Sequence, residues 1–298
     1  MSTSVHGTNG SSKSVEKHVE ELDIYQCYKR SPYSSLKVSS YFSVYAELLE
    51  SYRNKEITFV EIGVLNGGSL FMWREYFGSK ARIIGVDFNP LAERWREEGF
   101  EIHIGNQADP QFWDKFFSEF KEVDVILDDG GHTNEQQIIT ASQCLSHIKE
   151  GGLLIVEDTH TSYFKDFGNP SKYSFIEWSK GLIDNINSRF PTVKVSDLPY
   201  KNRVHSVSFF ESIVCFKISP GRCAESFVMV NEGINLGAED FRHEGELLGT
   251  LKKFGTKMMK KWSFLKDSKG LRKLKSFIFT HLFWLKAKIQ MRKLKKYF

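Results

Sequence analysis

The chain has 298 residues, a length that suits one large domain with an appendage or two small ones, and 41% hydrophobic content with 25 Phe is ample for a core. The net charge of +4 hides a division: residues 242–298 carry 17 Lys and Arg against 3 Asp and Glu, while residues 1–241 carry 24 against 34, so the overall balance is no guide to partners. There is no secretory apolar region at the N-terminus, and no apolar run approaches the roughly 20 residues that span a bilayer. Cys27, Cys144, Cys215 and Cys223 lack C-x-x-C spacing, which sets aside a zinc site or disulfide frame and points to buried thiols in a reducing cytoplasm.

In chain order, residues 1–13 are Ser, Thr and Gly-rich and read as a disordered leader. Residues 14–55 read as an N-terminal helical segment. Within it 15–30 is polar, and 36–52 sets Val38, Tyr41, Phe42, Tyr45, Leu48, Leu49 and Tyr52 at helical spacing on one apolar face. That face is expected to pack across a sheet edge or over a ligand pocket. Residues 56–220 then alternate strand and helix: strands at 57–62, 82–87, 101–104, 123–127 and 153–156, and helices at 70–77, from Pro110 onward, at 134–148 and at 175–189. Asp109 caps the helix whose first residue is Pro110, the position that proline prefers. Strands at 204–210 and 213–218, joined at Glu211-Ser212, make a β-hairpin. The pattern implies an α/β fold, a mostly parallel sheet with right-handed crossovers, helices on both faces and an antiparallel C-terminal hairpin. That hairpin separates a Rossmann-like methyltransferase sheet from the plain dinucleotide fold. A linker at 221–249 leads to a basic tail at 250–298.

Two of the strands end in paired acids. The strand at 123–127 runs into Asp128-Asp129-Gly130-Gly131-His132, and the strand at 153–156 into Glu157-Asp158. Adjacent parallel strands bring such tips to one sheet edge, where open α/β folds hold ligands. Four carboxylates and an imidazole sharing a crevice raise one another's pKa unless a cation neutralises them, and clustered oxygens suit a hard divalent ion. Acids at solvated strand ends and Asp-Gly turns are also ordinary structure; the repetition of the pattern one βα unit later favours a metal site with a base beside it.

The first strand ends in Glu61-x-Gly63-x-x-x-Gly67-Gly68, which is not the G-x-G-x-x-G of NAD enzymes but resembles the E-x-G-x-x-x-G of S-adenosylmethionine enzymes. Gly63 and Gly67 would let the backbone approach a ligand, and Asp87 would take ribose hydroxyls. Glu61, Gly63, Gly67, Asp87 and Asp109, each following or ending a strand in order, make a cofactor site.

Together the stretches VEIGVLNGGSLFMWREYFG, IIGVDFNP, IGNQADPQFW, ILDDGGHTNEQQ, GGLLIVEDTHTSY, FIEWSKGLID and HSVSFFESIVCFK resemble the metal-dependent sugar O-methyltransferases of the macrocin and mycinamicin type, grouped with cephalosporin-hydroxylase-like proteins. The resemblance covers roughly residues 20–220. It implies a class I methyltransferase fold, S-adenosylmethionine as donor and Mg²⁺ at the acceptor site. It also implies Asp129, Glu157 and Asp158 as metal ligands, His132 as general base, and cofactor contacts at Glu61, Gly63, Asp87, Gln107, Asp109 and Asp128. His160 and Tyr163 would line the acceptor pocket.

In the tail, Leu271, Leu274, Ile278, Leu282, Leu285 and Ile289 recur at helical spacing with Lys and Arg on both sides. A basic amphipathic helix can lie on an anionic membrane, which would suit a membrane-assembled glycan acceptor; docking on the body or on a second copy of the chain is the alternative. A nucleic-acid methyltransferase is disfavoured, since its N/D-P-P-aromatic motif is replaced by DDGGH. A non-catalytic scaffold is a further alternative. An iron hydroxylase would want two His at the tips, where one is present.

Overall fold

The computed structural model describes residues 18–168, 171–191, 193, 200–234, 236–237 and scattered positions between 250 and 297. The chain divides into two units, Met1–Val228 and Met229–Phe298. The expected leader at 1–13 lies outside the described residues, as do positions 235 and 238–249 of the expected linker and all six apolar positions of the tail repeat. The described tail positions 281, 284, 288, 291, 292 and 294 are helical. Among the described residues no helix is long and apolar enough to cross a membrane.

The first unit is built on a seven-stranded sheet: β1 Thr58–Ile62, β2 Arg82–Asp87, β3 Glu101–Ile104, β4 Val123–Asp128, β5 Ile148–Val156, β6 Val204–Phe210 and β7 Ile213–Ile218. The order is β3-β2-β1-β4-β5-β7-β6. The first five strands are parallel, and β7 pairs antiparallel with both β5 and β6. The strand order reverses between β1 and β4, so the crevice at their carboxyl ends is where a sheet of this kind takes its ligand.

Alternation along the buried strands feeds two cores. Phe59, Val125, Leu127, Leu153 and Ile155 face one side, against α1 Asp23–Arg30, α2 Tyr41–Leu49 and α3 Gly68–Phe77. Val60, Ile62, Ile126, Leu154 and Val156 face the other, against α4 Pro110–Phe120, α5 Asn134–Cys144 and α6 Phe175–Asn187. Each side centres on a fully buried tryptophan, Trp73 on the first and Trp113 on the second. Truncating either to Ala is expected to cost about 3–5 kcal/mol.

Three boundaries differ from the sequence reading. The helix expected from residue 36 begins at Tyr41; Leu36 is 84% exposed, and residues 31–40 form a strap that crosses the pocket mouth. The helix expected to reach 148 stops at Cys144, passes through a 3-10 turn at Leu145–His147, and Ile148 already belongs to β5. The helix expected to reach 189 ends at Asn187. Asp109 caps α4 as expected, its Oδ1 accepting from the Gln111 amide at 3.0 Å with Pro110 at the first helical position.

Candidate functional site

The site forms where β1, β4 and β5 end. After Ile62 the chain turns at Gly63, whose φ of +91° lies in the left-handed region open to glycine. A Cβ there would meet the Asp129 carbonyl oxygen at 2.1 Å, so this glycine lets the β1 and β4 turns pass each other. At Gly67 (φ +76°) a Cβ would run into the Trp95 ring at 2.3 Å. Both glycines are thus required by neighbouring protein, and Gly63 also lies in the cavity wall described below.

Asp87, at the end of β2, holds this turn. Its Oδ2 accepts from the Val64 and Leu65 amides at 2.8 and 3.1 Å, and its Oδ1 from Asn89 at 2.8 Å. A carboxylate has about four acceptor sites, so capacity remains for a hydroxyl on the pocket side. Beside it opens a cavity of about 660 Å³ with Gly63, Asp87, Gln107, Asp129, His132 and Asp158 in its wall, within the size range of small-molecule sites.

The other expected cofactor residues sit deeper. Glu61 is fully buried, and its carboxylate accepts from Ser69 Oγ and Trp73 Nε1, both at 2.9 Å, pinning α3 onto β1. Burial, partly offset by Lys37, pushes Glu61 up to about 7. Glu61 is not among the residues of the cavity wall, and its two bonds hold α3 onto β1 beneath it. Asp109 is likewise engaged as the α4 cap. Gln107 is a strut: Nε2 donates to Asp128 Oδ1 at 2.9 Å and lies 3.1 Å from Thr140 Oγ1, while Oε1 accepts from the Gly131 amide at 2.9 Å. Asp128 also accepts from the Gly130 amide on Oδ1, but its buried Oδ2 has no hydrogen-bond partner among the described residues. Burial raises Asp128 to about 6.

Asp129, His132 and Asp158 form the acidic centre. Each offers one atom, and the three atoms lie within 4.8 Å of one another. His132 Nε2 is 3.3 Å from Asp158 Oδ2 and 4.0 Å from Asp129 Oδ1. Both His132 (φ +59°) and Asp158 (φ +53°) hold left-handed backbone, a conformation costly to non-glycine residues and common at functional sites. Thr161 Oγ1 reaches the carbonyl oxygens of both, at 2.7 and 2.8 Å, and so fixes one tip to the other. Two carboxylates and an imidazole of this spacing can hold a divalent ion.

Glu157, expected with the ligands, is joined to Asp129 through Lys37. It is fully buried, accepts from the Tyr45 hydroxyl, and pairs with Lys37 Nζ at 3.0 and 3.2 Å. Lys37 Nζ also donates to Asp129 Oδ2 at 2.6 Å. Burial and repulsion from Asp129 raise the Glu157 pKa, with Lys37 and Tyr45 opposing. Burial depresses Lys37, and attraction to Asp129 and Glu157 overcomes it, so the ammonium form is held.

Sequence reasoning missed Lys37, Tyr41, Tyr45 and Ser212 as parts of this centre. Tyr41 donates to Asp158 and lies 2.9 Å from Ser212 Oγ, and Ser212 in turn contacts His160 Nδ1. The i, i+4 spacing of Tyr41 and Tyr45 was visible, but it read as an apolar face when the two hydroxyls in fact point at neighbouring acids. His160 Nδ1 is 3.9 Å from Asp158 Oδ1, and Tyr163 is 61% exposed in the turn Thr159–Tyr163.

Residues 60–159 match a family described as a methyltransferase domain. Over 156 residues the chain is 31% identical to L-olivosyl-oleandolide 3-O-methyltransferase of Streptomyces antibioticus, covering 48% of this chain and 40% of that protein. It is 31% identical over 154 residues to demethylmacrocin O-methyltransferase of Streptomyces fradiae, covering 48% and 38%. Mycinamicin VI 2''-O-methyltransferase of Micromonospora griseorubida is 30% identical over 156 residues, again 48% and 38%. The chain spans about two fifths of the length of these curated relatives. In structure it is similar to the MycE methyltransferase of the mycinamycin biosynthetic pathway in complex with Mg and SAH, with a TM-score of 0.58 at 22% identity, covering 70% of this chain and 56% of that one. At that identity the likeness establishes the fold. The sheet thus has the fold that the MycE methyltransferase shows, residues 60–159 are similar to a methyltransferase domain, and the curated proteins that the chain resembles include O-methyltransferases of macrolide sugars.

Proposed function

We propose that this protein transfers a methyl group from S-adenosylmethionine to a hydroxyl of a sugar, with Mg²⁺ at the acidic centre. The observation that carries the reading is the convergence of Asp129, His132 and Asp158 within 4.8 Å at the wall of a 660 Å³ cavity, at the point where strand order reverses. Asp129 and Asp158 would hold the ion, with Glu157 as a third carboxylate. When bound, the ion supplies charge that lowers the pKa of a sugar hydroxyl, and the donor supplies an electrophilic methyl.

The chain's own residues do the rest. His132 presents Nε2 toward the acids and accepts the hydroxyl proton there, and Asp158 at 3.3 Å stabilises the imidazolium that forms. Tyr41 keeps Asp158 in position through its hydroxyl. Asp87, fixed by three backbone amides, would receive the ribose hydroxyls, and Asp128 with its free oxygen would face the donor's amino group. Holding two reactants aligned removes much of the entropic barrier. His160, 3.9 Å from Asp158, and Tyr163, in the same turn, would meet the acceptor.

A second reading follows from the grouping itself: His132 is one of the ion's ligands, with Nε2 coordinating instead of accepting a proton. Loss of Mn²⁺ affinity in His132→Ala would select it. The tail belongs to the same proposal: 17 Lys and Arg in residues 242–298 would bring a cytoplasmic enzyme to an anionic membrane surface where lipid-linked glycans or polysaccharides are assembled. Liposome co-sedimentation with and without residues 250–298 tests that part. The activity is tested by mass spectrometry of glycans from cells with and without the gene. Acceptors lighter by one CH₂ in its absence are expected, and identical glycan profiles would count against the reading.

A further inference from the structure

The strap at residues 31–40 carries the one side chain that joins Asp129 to Glu157. Its backbone lies at the surface: Leu36 is 84% exposed and Val38 45%, so the neighbours of Lys37 do not anchor it in the core. The Lys37 side chain nevertheless turns inward and is only 1% exposed. Its ammonium spends its donors on Asp129 Oδ2 at 2.6 Å and on both oxygens of Glu157 at 3.0 and 3.2 Å. These are two of the three carboxylates that the proposed function gives to the ion. Mg²⁺ sits about 2.0–2.1 Å from its oxygens and demands near-octahedral geometry, so an ion drawing on Asp129 Oδ2 and Glu157 would meet the ammonium on the oxygens it needs.

Resting on that metal reading, we infer that Lys37 is a tethered cation that competes with the divalent ion: the seat between Asp129 and Glu157 holds either Lys37 Nζ or the metal. Entry of the metal exchanges one positive charge for two among three carboxylates and expels the lysine. The same strap lines the cavity with Ser34, Ser35 and Leu36. It rests on the Gly-rich turn through Ser31 Oγ, which donates to the Gly68 carbonyl at 2.7 Å, and through Tyr33, whose ring centroid is 4.5 Å from that of Trp95. Expelling Lys37 therefore reshapes the wall beside the donor pocket, which couples metal loading to ligand access.

The test uses the full chain without substrate, with Mn²⁺ as the probe. Electron paramagnetic resonance titration should show Lys37→Met binding Mn²⁺ at least tenfold more tightly than the wild type. Acetylation with an N-hydroxysuccinimide ester, mapped by mass spectrometry on the wild type, should leave Lys37 unmodified without Mn²⁺ and modify it at saturation. Equal or weaker Mn²⁺ binding by a folded Lys37→Met chain, or a Lys37 still protected with Mn²⁺ bound, overturns the competition while leaving the metal reading intact. If neither chain binds Mn²⁺, the metal reading itself falls and the competition with it.

Discussion

The Thr161 hydroxyl lies 2.7 Å from the main-chain carbonyl of His132, tying the turn after β5 to the turn after β4. It has no access to the pocket chemistry, since it reaches only backbone oxygens of His132 and Asp158. Thr161→Val should cost about 1–2 kcal/mol of stability, as expected for one buried hydrogen bond. It should also lower kcat more than it raises the KM for S-adenosylmethionine, because the tips lose register while the donor turn does not. Denaturant titration and steady-state kinetics on the same variant check both halves.

His132→Ala should lower turnover by about 10²–10⁴-fold, the contribution of a positioned general base, and leave cofactor affinity nearly unchanged by calorimetry. The separation is expected because His132 sits with Asp129 and Asp158, on the acid side of the cavity. A parallel loss of donor affinity would place His132 in the wrong role.

Tyr41→Phe removes the hydroxyl that orients Asp158. Partners that orient metal-ligating groups are worth about 10–100-fold in metal affinity, so a Mn²⁺ titration should weaken by that order. Ser212→Ala, one step further out at 2.9 Å from Tyr41, should weaken it less.

Metal removal gives a direct check. EDTA-treated enzyme should lose methyl transfer, and Mg²⁺ should restore it; Asp129→Asn should be rescued poorly, because the variant has lost one of the carboxylates that hold the ion. Full activity after EDTA would refute the metal assignment.

Glu61 predicts a pH dependence of stability. Burial raises its pKa from the ordinary 4.5 to about 7. Between those values the folded chain keeps a proton that the unfolded chain has released, so unfolding free energy falls as pH rises from 4.5 to about 7 and levels off above. Asp128, raised to about 6, acts in the same direction over a narrower window. In metal-free buffer Glu61→Gln should flatten the profile of Tm against pH across this range. An unchanged slope would show that the buried carboxyl is not the source.

Much of this was legible from residues alone. Continuous apolar runs gave the strands, Asp109-Pro110 gave a helix start to the residue, and the acidic tips at 128–132 and 157–158 converge at one sheet edge. The misplaced boundaries have a common cause. Leu145 and Ile148 continue the helical spacing of α5, so period alone cannot say where helix yields to strand. Val38 likewise fits the period of α2 although residues 36–40 run outside the helix. Lys37 could not be read at all, for its acids lie 92 and 120 residues away and nothing local marks a lysine that will be buried. The resemblance gave Glu61 and Gln107 as cofactor contacts but not their structural bonds, since buried polar groups also satisfy each other.

The turn between β6 and β7 brings Ser212 to Tyr41, and the Ser212 carbonyl accepts from the Thr159 amide at 3.1 Å. Because β7 lies between β5 and β6, β5 keeps a bare edge until residues 213–218 have left the ribosome. A nascent chain cut short after Asp158 would own every acid of the centre and yet have neither the strand that covers that edge nor the serine that steadies Tyr41. Completion of the hairpin is thus the step in biosynthesis at which the acidic centre gains its last support.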